Sequence, residues 1–274
     1  MPPEPPDTDR IELAGEEAVV PMASQGGHPV VEVMLDGKGP FRMVLDTGSS
    51  RSVLSDGLVE KLHLPVIGVT RVQSPLGPAP SAGKLARVAR LDLGGLSVSE
   101  MKVVVADLSR VFRGKGDPVG LLSAALFSGY LVTLDTPRRR VVFRSGELPP
   151  ANGASILPYD ASQPLPTIRI SVADVHVDAH VDTGSSRGLV LPAALAKKLP
   201  LTGPLLDAGK ARTVGTSVPL REARLDGSVK IGRHVLKDPV IVFAQGAPAG
   251  NIGFEILRLF ALTLDHKNQR LRIE

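Results

Sequence analysis

The 274-residue sequence has no cysteine and no tryptophan, and only seven Phe and two Tyr. Without cysteine there is no disulfide, thiol nucleophile, iron–sulfur cluster or cysteine zinc site. The compartment stays open, because such a chain suits oxidising and reducing spaces alike. No apolar run approaches the roughly 20 residues of a membrane-spanning helix; the stretch Leu189 to Ala196 is short and broken by Pro192. Charge of either sign is nearly balanced, 32 Lys+Arg against 28 Asp+Glu, for a formal net charge of +4. So small an excess, with no clustered stripe, excludes a nucleic-acid footprint. Arg138-Arg139-Arg140 follows Pro137 and reads as a solvated hairpin turn. A soluble globular protein is expected, with no membrane span and no nucleic-acid partner.

What is present is a repeat. Residues 1–16 read as a disordered Pro-rich leader, since Met1 to Arg10 holds four prolines and four charges and lacks the apolar stretch of a signal peptide. After it, the sequence recurs. Glu17 to Met22 lines up with Ala154 to Tyr159, and Val31, Val33 and Leu35 with Ile168, Ile170 and Val172. Leu45-Asp46-Thr47-Gly48-Ser49-Ser50-Arg51 then matches Val181-Asp182-Thr183-Gly184-Ser185-Ser186-Arg187 at six of seven positions, and Thr133-Leu134-Asp135 is repeated at Thr263-Leu264-Asp265. Two lobes follow, 17–148 and 149–274, the second opening with a linker; five prolines mark the linker over Ser145 to Pro166.

Each lobe reads as mostly strand. Val31 to Leu35 alternates with period two, Asp36-Gly37 signals a hairpin, and Phe41 to Leu45 is a strand running into the Asp-Thr-Gly loop. Ser55 is placed to cap a helix over Leu58 to Leu62, and Pro192 to open one over Ala193 to Leu199. His176, Asp178, His180 and Asp182 alternate on one strand face; the other copy has Pro40, Arg42 and Val44 before Asp46. The run therefore reads as a polar hairpin face, with no metal and no cofactor assigned.

A carboxylate on a Gly-containing loop is ordinary once; at matched positions of duplicated lobes it is not. Two lobes about a pseudo-twofold axis bring corresponding loops together, so Asp46 and Asp182 face each other. Two close carboxyls share a proton, one serving as acid and the other as base. Gly48 and Gly184 allow backbone N–H groups to approach them, and Thr47, Thr183, Ser49 and Ser185 supply orienting hydrogen bonds.

These two Asp-Thr-Gly-Ser-Ser loops resemble the active-site loops of pepsin-like and retropepsin-like aspartic proteases, and the resemblance runs over most of the chain. It implies an all-β, bilobal acid-protease fold of two β-barrel-like lobes with short helices, a fused single-chain form of a dimeric retropepsin of the bacterial kind. In that family an apolar-apolar-Gly segment threads beneath each loop; Pro118-Val119-Gly120 and Asn251-Ile252-Gly253 fit it. Carried over, Asp46 and Asp182 activate a water, Thr47 and Thr183 interlock the loops, and Ser49 and Ser185 bind the outer carboxylate oxygens. Hairpin flaps are expected at Gln73 to Gly83 and Arg212 to Val218. The implied activity is aspartic endopeptidase action on extended polypeptides by a monomer with internal pseudo-twofold symmetry, exported to the periplasm or beyond, with the cytoplasm as the alternative location. The alternative is an inactive relative that binds peptide or acts as an inhibitor.

Overall fold

Three sheets account for nearly all the regular structure of the chain. The computed structural model describes residues 9–72, 81–109, 111–112, 116–160, 165–213 and 216–274. A nine-stranded sheet belongs to the first lobe and a second nine-stranded sheet to the second lobe. The third has six strands, three from each lobe, and its order is a palindrome of the repeat: Glu17–Pro21, Arg140–Arg144, Leu131–Asp135, Ala261–Asp265, Arg270–Ile273 and Ile156–Pro158.

At the centre of that sheet Leu131–Asp135 and Ala261–Asp265 pair antiparallel with Thr133 opposite Thr263. These residues are equivalent in the repeat, and their hydroxyls meet at 2.9 Å. The two lobes are thus joined through a self-complementary strand pair. Phe143, on the strand Arg140–Arg144 of this sheet, packs with Phe127, ring centroids 4.7 Å apart, within a core that includes residues of both lobes.

The local expectations translate with three adjustments. Asp36 and Gly37 both take positive φ, 48° and 72°, as a two-residue turn between His28–Leu35 and Lys38–Asp46 requires. Ser55 caps the helix Asp56–Leu62 by accepting from the Leu58 N–H. Ser55→Ala should lower stability by about 1 kcal/mol in urea unfolding, the usual worth of such a cap. The second helix is a shorter 3₁₀ turn, Ala193–Lys197, in which Pro192 is the capping residue and makes no side-chain bond. Residues 10–13, expected within a disordered leader, instead form the strand Arg10–Leu13, paired to Leu96–Ser99. The leader's four prolines all precede it, while Ile11 and Leu13 alternate onto the core. The linker likewise contains a strand, Ile156–Pro158.

The expected flaps lie partly outside the described residues, at 73–80 and 214–215. Their flanks are antiparallel strand pairs, Val66–Val72 with Ser81–Leu93 and Leu201–Thr213 with Thr216–Leu225.

Candidate active site

The strand Lys38–Asp46 ends at Asp46, and Val175–Asp182 ends at Asp182. Each is held from one side by a short parallel strand: Gly120–Ser123 runs beside Met43–Asp46 and Gly250–Gly253 beside Ala179–Asp182. Each short strand also pairs antiparallel with the strand after the loop, at Val53–Leu54 and Leu189–Val190. A carboxylate at the tip of a strand held by a neighbour that is itself paired on both edges has little freedom to move, which is what a site acting by position needs.

This register corrects the expected threading segment of the first lobe. Gly253 lies opposite Asp182, but the residue opposite Asp46 is Ser123 rather than Gly120. The counterpart of Gly250-Asn251-Ile252-Gly253 is therefore Gly120-Leu121-Leu122-Ser123. A Cβ on Gly253 would overlap the Arg187 carbonyl, and there the Phe254 N–H donates to the Ser185 carbonyl at 2.7 Å. In the first lobe the buried Ser123 supplies that bond with its hydroxyl, 2.5 Å from the Ser49 carbonyl. The same acceptor is satisfied by different donors, which is why the two segments do not align by residue type.

The two loops interlock reciprocally. The Thr47 hydroxyl donates to the Val181 carbonyl at 2.7 Å and the Thr183 hydroxyl to the Leu45 carbonyl at 2.6 Å. Each hydroxyl also accepts the other threonine's N–H, both at 3.0 Å. Thr47 and Thr183 are buried, 2% and 1% exposed. Four hydrogen bonds without water around them fix the loops at one separation.

That separation brings Asp46 and Asp182 into hydrogen-bond contact. The Gly48 N–H donates to Asp46 Oδ1 at 2.7 Å and the Ser185 N–H to Asp182 Oδ1 at 3.1 Å. The Gly184 N–H reaches both carboxyls. The glycines are crossed: a Cβ on Gly48 would overlap the Asp182 carboxyl, and one on Gly184 would lie 2.5 Å from Asp46 Cγ. The serines differ from expectation. Ser49 donates its hydroxyl to the Arg51 carbonyl at 2.6 Å, and Ser185 reaches the carboxylate through its backbone N–H.

Burial, then the negative charge of Asp182, pushes the Asp46 carboxyl up to about 8, against the Gly48 and Gly184 N–H groups. Burial also raises Asp182, opposed first by a hydrogen bond from the Asn251 side chain. Two carboxyls in such contact resist ionising together. Between 3.8 and about 8 the folded chain keeps a proton that the unfolded chain has released, so stability falls as pH rises through that window. Urea midpoints should therefore drop from the acidic to the alkaline end for the wild type. Asp46→Asn should lose at least ~1 kcal/mol less over the same range.

The alternating polar run of the second lobe finds separate partners. His176 bonds Ser171, Asp178 forms an ion pair with Arg169, and His180 bonds Thr167. No cluster of three metal-ligating side chains occurs among the described residues, and no helix among them is long and apolar enough to cross a membrane.

The model of one family, described as aspartyl protease, matches residues 31–125 and again 168–256, about two thirds of the chain, once in each lobe. The chain belongs to the aspartyl protease family. Both matches contain an Asp-Thr-Gly loop and its gripping strand, so in this aspartyl protease the duplicated unit is the family unit. Comparison with curated proteins returned no match. Two contributors to this site carry no repeat signal and are not foreseen from the sequence: Asn251, whose counterpart is Leu121, and His28, whose ring donates to the Gly184 carbonyl.

Proposed function

We propose that the chain is an aspartic endopeptidase that hydrolyses extended polypeptides with a water activated by Asp46 and Asp182. The observation that carries this is the pair of neighbouring carboxyls at the tips of the two matched loops, locked by crossed threonines, a geometry in which one proton is shared. The carboxylate takes a proton from the water as its oxygen bonds to the scissile carbonyl carbon. The carbonyl π pair moves to oxygen, which receives the proton of the other carboxyl. In the collapse the C–N bonding pair leaves with nitrogen, which takes the proton that the carboxylate had drawn from water, while one hydroxyl of the intermediate re-forms C=O and returns its proton to the other carboxyl, so the dyad again holds one proton. An extended substrate pairs through its backbone with the hairpins flanking the cleft, the recognition mode open to strand-edged sites.

The test is digestion of an unfolded polypeptide across acidic to neutral pH, read by mass spectrometry, with and without a statine-type transition-state analogue. Internal cleavages suppressed by the analogue are expected. Binding of the analogue with no cleavage would leave only a peptide-binding relative of the proteases.

A further inference from the structure

The two carboxyls are equivalent in the repeat but not in their surroundings. Asp46 is buried, 5% exposed, whereas Asp182 is only half-buried at the cleft. Asp46 accepts from the Gly48 and Gly184 N–H groups. Asp182 accepts from the Gly184 and Ser185 N–H groups and, in addition, from the Asn251 side chain. Asn251 lies on the strand Gly250–Gly253, two residues before the glycine that pairs with Asp182, so its side chain leaves that strand on the same face. The first lobe has Leu121 there, packed instead with Val53, Leu85, Val104 and Leu108.

A second one-sided contact comes from the opposite lobe. The strand His28–Leu35 starts against the second catalytic loop, where a Cβ on Gly27 would lie 2.9 Å from Ser186 Cβ. The His28 ring is stacked edge-on to Phe112, centroids 5.7 Å apart, and donates to the Gly184 carbonyl. That carbonyl belongs to the peptide whose N–H, on Ser185, donates to Asp182 Oδ1. A donor on the oxygen of an amide strengthens the donor on its nitrogen, so His28 acts on Asp182 through one peptide unit. Its counterpart in the repeat is the apolar Leu165.

Resting on the protease reading above, we infer that Asp182 is the ionised member of the dyad, which takes the proton of the water, and Asp46 the protonated member, which gives its proton to the carbonyl oxygen. Asn251 and His28 are the positioning residues that break the symmetry. The titratable group facing Asp182 is Asp46; Asn251 and the loop backbone do not titrate. His28 touches the loop from behind, and His180, on the same strand face two residues back, is bonded to Thr167. Burial lowers the His28 ring from its ordinary range, against the hydrogen bond to Gly184.

The experiment combines ¹³C NMR titration of carboxyl-labelled Asp, assigned with Asp46→Asn and Asp182→Asn, with the pH profile of kcat/KM. The variants are Asn251→Leu, His28→Leu and His28→Gln. In the wild type the Asp182 signal should titrate first. Asn251→Leu should move that titration, and the acid limb of kcat/KM, upward by about half a pH unit or more with KM little changed. His28→Leu should do the same to a smaller extent, and His28→Gln, which keeps an amide donor, should restore the wild-type profile. Should Asn251→Leu fail to fold, the wild-type titration order and the His28 pair still decide. Asp46 ionising first, or an acid limb unmoved in folded variants, overturns the assignment. The NMR result does not depend on cleavage, so an inactive chain in which Asp182 ionises first refutes the protease reading and not this one.

Discussion

Asp46→Asn and Asp182→Asn should each lower the cleavage rate about a thousandfold or more, the upper part of what one general acid–base group contributes. Asn has nearly the shape of Asp and still accepts at Oδ1, so the Gly48 bond at 2.7 Å or the Ser185 bond at 3.1 Å can survive. What disappears is the exchange of a proton: an amide neither takes one from water nor returns one to the leaving nitrogen. Because the carboxyls act as a unit, the double variant should be hardly worse than either single one. Both single variants should stay folded, since the threonine lock does not involve either carboxyl. Rates and thermal unfolding of the same samples check this; an active Asp182→Asn chain would remove Asp182 from the chemistry.

Gly48→Ala and Gly184→Ala should be as damaging through geometry alone. The added methyl on residue 48 enters the space of the Asp182 carboxyl, and that on 184 lies 2.5 Å from Asp46 Cγ and Oδ1. Neither neighbour can retreat freely, because both sit on strand ends held by a short parallel strand. The loops must part, which stretches the threonine bonds and separates the carboxyls. A loss of activity near a thousandfold is expected, with a destabilisation of about 1–3 kcal/mol from overpacking. Gly57→Ala is the control: nothing lies within 4 Å of its Cβ, it sits in the helix Asp56–Leu62, and it should gain up to ~1 kcal/mol with activity unchanged. Steady-state rates and urea midpoints for the three variants separate clash from chemistry.

The Asp36-Gly37 turn and the Ser55 cap are legible from local signals; the parts of the site legible in the sequence are those that the duplication wrote twice. Asp-Thr-Gly-Ser-Ser recurs nearly unchanged, and each loop packs against the other through the same reciprocal contacts. Thr133 and Thr263 recur because they pair with each other. The threading strand was placed three residues early in the first lobe because Ser123 meets by hydroxyl the need that Gly253 meets by leaving room for a backbone N–H. The strand Arg10–Leu13 was hidden by prolines that stop just before it, and its signal was only the alternation of Ile11 and Leu13. Asn251 and His28 were invisible for the opposite reason from the loops. They occur once, and a search for repeats passes over whatever makes two copies differ. The usable signal for Asn251 was a polar residue between Gly250 and the buried Ile252, where the first copy has Leu121.

The central claim, that one chain supplies both halves of one proton-sharing dyad, is tested most directly by calorimetric titration with a statine-type analogue, whose hydroxyl occupies the position of the attacking water. The account predicts one analogue bound per chain, and loss of that binding in Asp46→Asn and in Asp182→Asn alike. One analogue per two chains, or undiminished binding by either variant, would contradict it.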